Sequence, residues 1–309
     1  MGKSGQKRAK RNEPFYKKIS KKLFPHNYLE NQLIQFEKLD NDSRLLWADF
    51  QNFLAEEREK VLDQVTNSLI NRSKNSFSGK QFCRIIGSKF SKTPLSSKGS
   101  YLVPPGGRFN FGQSISYQTY FPALYLASDF DVAYAEKFSC KQGHVSTDGL
   151  TSLDLDLRRP DSFTYQQVNF ELAKIIDLRE NHAIEGFFEA IRHIKMPKIY
   201  SDQAKRLKIN MGMVMDATLL RNSIFDPNYE QWDFWIDQPS PSQWLGHYTR
   251  LAGIQGIVYP SIRIDSGFNI AIFLDQFYNT ESFVELCDEC DFVEIDQRRV
   301  DATNFHQFI

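Results

Sequence analysis

The stretch Leu124-Tyr-Leu-Ala-Ser-Asp-Phe-Asp-Val-Ala-Tyr-Ala-Glu136-Lys-Phe138 changes its period midway. Residues 122–127 are short, apolar and uncharged, the pattern of a buried strand. Ser128 and Asp131 then form an S-x-x-D helix start, which predicts a helix from Asp129 to about Phe138. Glu136 falls one helical turn after Val132 and between Ala133 and Ala135, so its carboxylate can face a cleft instead of water. A strand that runs directly into a helix is the local pattern of a mixed α/β (α+β) chain, the fold class expected here.

The flanking sequence extends this pattern. Gln81 to Ile86 reads as another strand, and Tyr101 to Gly112 as a glycine-rich loop. Upstream, residues 28–72 read as helical, with Leu46, Phe50, Phe53, Val61, Val65 and Leu69 at helical spacings and Glu56 to Lys60 as a solvated face. Residues 73–79 are small and polar, a plausible boundary. Downstream, residues 139–163 read as loop and residues 164–178 have mixed periodicity. Residues 183–194 and 206–224 read as helices, and Ser242 as the cap of a helix over 243–253. Residues 256–261 and 268–274 are strand candidates, and an acidic C-terminal part begins at Asp275. The predicted organisation is a flexible basic arm (1–24), a helical N-terminal extension (25–75) and an α/β domain (76–309).

The formal net charge is zero, with 38 basic and 38 acidic side chains among 309 residues, but the charges are segregated. Residues 1–24 carry +8 and the remainder −8, which argues against a general nucleic-acid binder and leaves nucleic acid as a partner of the arm alone. Apolar content of 41% and 26 Phe exclude a disordered chain. No apolar run approaches the roughly 20 residues of a membrane helix, and the basic N-terminus lacks an apolar stretch behind it, so a soluble cytoplasmic protein is expected. Cys287 and Cys290 form a lone CxxC with no second pair, and the histidines show no ligand spacing, so no metal is expected.

Three segments carry groups suited to chemistry. In Gly106-Gly-Arg-Phe-Asn110 the glycines allow close backbone approach, while Arg108 offers a forked donor to a phosphate or carboxylate. Glu136 supplies a carboxylate. In Gly256-Ile-Val-Tyr-Pro-Ser261-Ile-Arg263, Pro260 ends the strand and Ser261 places a hydroxyl at its end. Taken singly, each reads more readily as a surface turn or an exposed helix Glu.

In order along the chain, these segments resemble the RES-domain family, named for its Arg, Glu and Ser. The family pattern is a strand with an Arg (Arg84), a G-G-R-W-N loop (Gly106 to Asn110, with Phe for Trp), a Tyr on a strand (Tyr125), a helix with a Glu (Glu136), and a Y-P-S-x-R strand end (Tyr259 to Arg263) followed by an apolar strand (Ser266 to Phe273). The resemblance covers about residues 80–275. It departs from the pattern in an extra stretch, Ser114 to Phe121, which makes Tyr117 or Tyr120 an alternative to Tyr125, and in the 124 residues between Glu136 and Ser261, which imply an insertion around 139–240.

The resemblance implies a fold similar to ADP-ribosyltransferase toxins: a mixed central sheet flanked by helices. It also implies cleavage of NAD⁺ by water or by phosphate, with NAD⁺ as substrate, phosphate as a co-substrate and no resident cofactor. It implies a toxin held by an antitoxin with an Xre-type DNA-binding domain, and it is compatible with a homo-oligomer. Arg108, Tyr125, Glu136 and Ser261 are the implied catalytic set; Arg84, Asn110 and Arg263 are the implied substrate contacts. Transfer of ADP-ribose to a macromolecule is the rival chemistry, and a non-enzymatic nucleic-acid-binding module using the arm is the second rival.

Overall fold

A computed structural model describes residues 28–102, 104–113, 119–138, 162–287 and 295–309, with side chains from residue 37 onward. The basic arm, Tyr117, and residues 139–161 of the expected loop lie outside the described residues. The described residues open with two helices, α1 (Tyr28–Glu59) and α2 (Leu62–Arg72), and continue with β1 (Lys74–Gly87), β2 (Leu124–Ala127), α3 (Phe130–Phe138) and β3 (Phe163–Asp177). Four helices follow: α4 (Glu185–Ile191), α5 (Lys198–Leu207), α6 (Ala217–Ile224) and α7 (Gln231–Ile236). The order ends with α8 (Pro241–Leu251), β4 (Gly256–Pro260), β5 (Phe268–Ile272), β6 (Phe283–Leu286) and β7 (Arg299–Asp301).

The expected mixed α/β architecture is present: one sheet of order β1-β2-β5-β4-β3-β6-β7, flanked by helices. β1 also pairs with β3 from Lys74↔Ile175 to Gly87↔Phe163. The first five strands therefore close into a ring, from which β6 and β7 continue off β3. Among the described residues only β3 and β4 pair parallel, and every other ladder is antiparallel.

Strand alternation sorts most of the apolar side chains into two large cores, with a smaller third cluster of Cys83, Ile85, Ala127, Val132 and Ala133. Leu124, Leu126, Val258, Ile270 and Ile272 pack on one side with Val168, Phe170 and Val284. Ala271, Phe273, Ile257 and Tyr259 face the other side, where Val65 and Leu69 of α2 and Leu245 and Tyr248 of α8 cover them. Among the described residues no helix is long and apolar enough to cross a membrane.

Several local expectations need correction. Residues 73–79 do not form a separate linker: α2 ends at Arg72, and β1 begins at Lys74 and pairs at once with β3. Asp129, not Ser128, caps α3: its Oδ1 accepts from the Val132 N–H at 2.9 Å, and the Ser128 hydroxyl donates to its Oδ2. α8 starts two residues earlier than expected, capped by Ser240 in a capping box with Gln243 and with Pro241 in its first turn. Residues 206–224 are not one helix. α5 ends at a left-handed Lys208 (φ 57°), and α6 begins only after Asp216 caps it through the Leu219 N–H. Arg58 does not belong to a solvated face. Its guanidinium lies 5.8 Å from the Trp244 ring, and burial lowers its pKa.

Candidate active site

A cavity of about 460 Å³ opens beside the ring of strands. Gly107, Arg108, Tyr125, Glu136, Tyr259, Arg263 and Asn269 contribute to its lining, with Pro227, Tyr229 and Glu230 from the stretch between α6 and α7. Four distant stretches of chain meet here because β2, β5 and β4 are neighbours. Tyr125 pairs with Ala271, which in turn pairs with Ile257, and Asn269 sits opposite both Ala127 and Tyr259.

Glu136 is the centre of the polar arrangement. Its Oε1 accepts from the Ser261 hydroxyl at 2.7 Å and from Asn269 Nδ2 at 3.1 Å. The Ser261 oxygen itself accepts the N–H groups of Arg263 (3.1 Å) and Ile264 (3.2 Å). Ser261 is thus fully engaged and does not line the cavity. Its hydroxyl holds the Glu136 carboxylate from outside the cavity lining.

Arg108 is buried, 7% exposed, at the junction of the loop and the wall opposite. Its Nη1 donates to the carbonyls of Ile224 (3.2 Å) and Asp226 (2.9 Å), and its guanidinium stacks 4.5 Å over the Tyr229 ring. Nε and Nη2 are the donors it can still offer an anion. Tyr125 presents its ring but not its hydroxyl, which accepts from the Phe109 N–H at 2.9 Å and donates to Asn110 Oδ1 at 2.8 Å. Burial pushes the hydroxyls of Tyr125, Tyr229 and Tyr259 well above their ordinary pKa, so all three stay neutral.

Two expected substrate contacts lie elsewhere. Arg84 faces away because strand parity turns its neighbours Cys83 and Ile85 to the cavity; its Nη2 donates to the Ser96 carbonyl at 2.8 Å. Burial lowers the Arg84 pKa to about 10. Asn110 is fully buried and staples the loop: Nδ2 donates to the carbonyls of Ser100, Phe111 and Phe121, and Oδ1 accepts from the Gly107 N–H. No hydrogen-bonding capacity remains for a ligand. Arg263 does line the cavity. Tyr120 does not; it is half exposed and stacks on Tyr101 with ring centroids 5.1 Å apart.

Four contributors escaped sequence reading. Asn269 and Tyr259 are polar side chains at inward positions of otherwise apolar strands, a signal that was present. Tyr229 lies in an irregular stretch with no local signal. Gln243, wholly buried on α8, donates from Nε2 toward the carbonyls of Pro105 (2.7 Å), Gly107 (3.1 Å) and Asn110 (3.1 Å), gathering the glycine-rich loop around one amide. The glycines serve the same close packing: a Cβ at Gly107 would lie 2.4 Å from the Tyr125 hydroxyl, and one at Gly246 of α8 1.9 Å from the Phe109 carbonyl oxygen.

Charge at the cavity departs from the acidic average of the body. Arg108, Lys137 and Arg263 line it against Glu136 and Glu230, a local excess of positive charge. The arrangement can hold an anionic group near Arg108 and present a fixed carboxylate a short distance away.

No curated protein matches the chain. Among solved structures, a chain of the M. tuberculosis MbcT–MbcA toxin–antitoxin complex is similar at 14% identity and a TM-score of 0.42, over 79% of this chain and 96% of that one. The family model described as RES domain matches residues 81–282, more than half of the sequence and the whole of the cavity lining. The chain belongs to the RES-domain family.

Proposed function

We propose that the chain degrades NAD⁺ by cleaving the nicotinamide–ribose bond, with water or phosphate as the nucleophile, and acts as the toxin of a toxin–antitoxin pair whose partner carries an Xre-type domain. The observation that carries the enzymatic reading is Glu136, held by Ser261 and Asn269 in the cavity that Arg108 also lines. Nicotinamide leaves as a neutral molecule from a cationic ring, so no general acid is required. The ribose develops oxocarbenium character as the bond lengthens, as in glycoside hydrolysis. Ser261 and Asn269 both donate to Oε1, so Oε2 is the oxygen available to hydrogen-bond a ribose hydroxyl, offset the developing charge and orient the incoming nucleophile. Arg108 and Arg263 suit the pyrophosphate by charge-assisted hydrogen bonds. The Tyr125 ring, its hydroxyl already engaged, suits stacking on the nicotinamide.

The test is turnover of NAD⁺ by the purified full-length chain with and without phosphate, compared with Glu136→Gln. Free ADP-ribose or its 1″-phosphate is the expected product, and the substitution lowers kcat by about 100-fold or more, the scale of a lost electrostatic contact to a transition state. Wild-type turnover in Glu136→Gln would remove the carboxylate from the mechanism. Label from NAD⁺ appearing in protein or nucleic acid would instead identify a transferase.

A further inference from the structure

Helix α1 precedes the segment that the family model matches, yet it touches both sides of the cavity's surroundings. Residues 226–232 alternate between two faces. Pro227, Tyr229 and Glu230 line the cavity, while Asp226, Asn228, Gln231 and Trp232 line a separate hollow of about 210 Å³ together with Trp47 of α1 and Trp235. Trp47 meets Trp232 edge-on, with ring centroids 6.3 Å apart at 81°, and Arg44 Nε donates to the Trp235 carbonyl at 2.5 Å. Toward the other end of α1, Arg58 lies against Trp244 on α8, next to the Gln243 that gathers the loop carrying Arg108.

Residues 225–230 have no helix or strand ladder of their own. From the cavity side Arg108 holds them, through the carbonyls of Ile224 and Asp226 and the Tyr229 ring. On the opposite side the segment runs directly into α7, whose Trp232 meets Trp47 of α1 across the hollow that Asp226 and Asn228 also line. We propose that Trp47 is a positioning residue for this cavity: by bearing on Trp232 it sets the spacing between the Tyr229–Glu230 wall and Arg108, and so the fit of the dinucleotide. The inference rests on the NAD⁺ reading above for its substrate, but not for its mechanics.

The experiment compares Trp47→Ala, Trp47→Phe and Phe53→Ala in the full-length chain. Phe53 sits on the same helix but stacks on Phe50 and packs tilted against Tyr200, and it does not line the cavity. In Trp47→Ala the KM for NAD⁺ rises about tenfold while kcat changes less than about twofold, the signature of lost uniform binding. Trp47→Phe, which keeps a ring against Trp232, brings KM back to within about threefold, and Phe53→Ala leaves KM unchanged. Amide exchange of residues 224–232 accelerates in Trp47→Ala and not in Phe53→Ala. An unchanged KM in Trp47→Ala, or an equal rise in Phe53→Ala, overturns the proposal. If the wild type leaves NAD⁺ intact, the functional reading fails, and the exchange comparison alone decides the brace: selective acceleration supports it and equal rates overturn it.

Discussion

Gly107→Ala tests whether the glycine-rich loop and Tyr125 form one packed unit. Gly107 has no left-handed φ, so alanine is tolerable to its backbone; the obstacle is space. The new Cβ would lie 2.4 Å from the Tyr125 hydroxyl oxygen and 2.5 Å from its Cε2 and Cζ, about 1 Å inside ordinary contact. Tyr125 must therefore shift, and its hydrogen bonds with the Phe109 N–H and Asn110 Oδ1 stretch or break. Two buried hydrogen bonds at about 1 kcal/mol each, with about 1–2 kcal/mol of overpacking, give a loss of about 3–4 kcal/mol. For a chain of this size that corresponds to a fall in Tm of about 10 °C. The assay is chemical denaturation of a double-mutant cycle with Tyr125→Leu, a side chain that vacates the contested space. In that background Gly107→Ala costs less than about 1 kcal/mol, so the coupling is about 2–3 kcal/mol. An equal cost in both backgrounds would refute the reasoning, because the strain would then not run through Tyr125.

Ser261→Ala removes the stronger of the two donors to Glu136 without opening the cavity lining. Steady-state kinetics then show kcat down by about 10- to 100-fold with KM nearly constant; a raised KM at constant kcat would place the hydroxyl on the substrate. Burial raises the Asp177 carboxyl, but hydrogen bonds from Arg179 and Lys74 outweigh it and hold the group at about 2. Its folded pKa thus lies below the unfolded value near 3.9, so the stabilisation is present above about pH 4 and disappears as pH falls toward 2. Lys74 and Arg179 are both more than a third exposed, which limits the effect to about 1–2 kcal/mol. Denaturation of wild type and Asp177→Asn between pH 7 and 2 checks this, and a stability difference that does not shrink in acid counts against it.

The parts of the fold legible in the sequence are those where one element buries one face. α3 and β2 show clean periods, and Asp129 offers its capping carboxylate one residue from the expected Ser128. β3 was harder because its environment changes along its length. Residues 163–174 alternate broadly between exposed and buried, but Ile175, Ile176 and Asp177 are buried in succession, where β4 pairs beside them. An alternating pattern that turns continuous reads as neither strand nor helix. β6 and β7, of four and three residues, are too short to rise above the acidic background. Among candidate site residues, Arg108, Tyr125, Glu136 and Arg263 meet at one cavity, and Ser261 stands behind it. Arg84 was misplaced because a strand residue's type does not reveal which face it takes. Asn110 was misplaced because the sequence does not show how many carbonyls a folded loop turns inward. Tyr229 could not be found locally, since Arg108, more than a hundred residues away, is what makes its position matter.

The closed ring of strands also dictates when the cavity can come into being during synthesis. β1 has no continuous partner until β3 emerges, and β2 gains its long ladder only with β5. The donors to Glu136 come from Ser261 and Asn269, 125 and 133 residues later. Pairings of such large sequence separation belong to the slow-folding regime. A nascent chain that stops before residue 269 has the glycine-rich loop and the carboxylate but lacks part of the polar arrangement around Glu136. The complete site therefore arises only once nearly the whole chain has been made, and chains truncated within the last strands of the ring are expected to be inert as well as unstable.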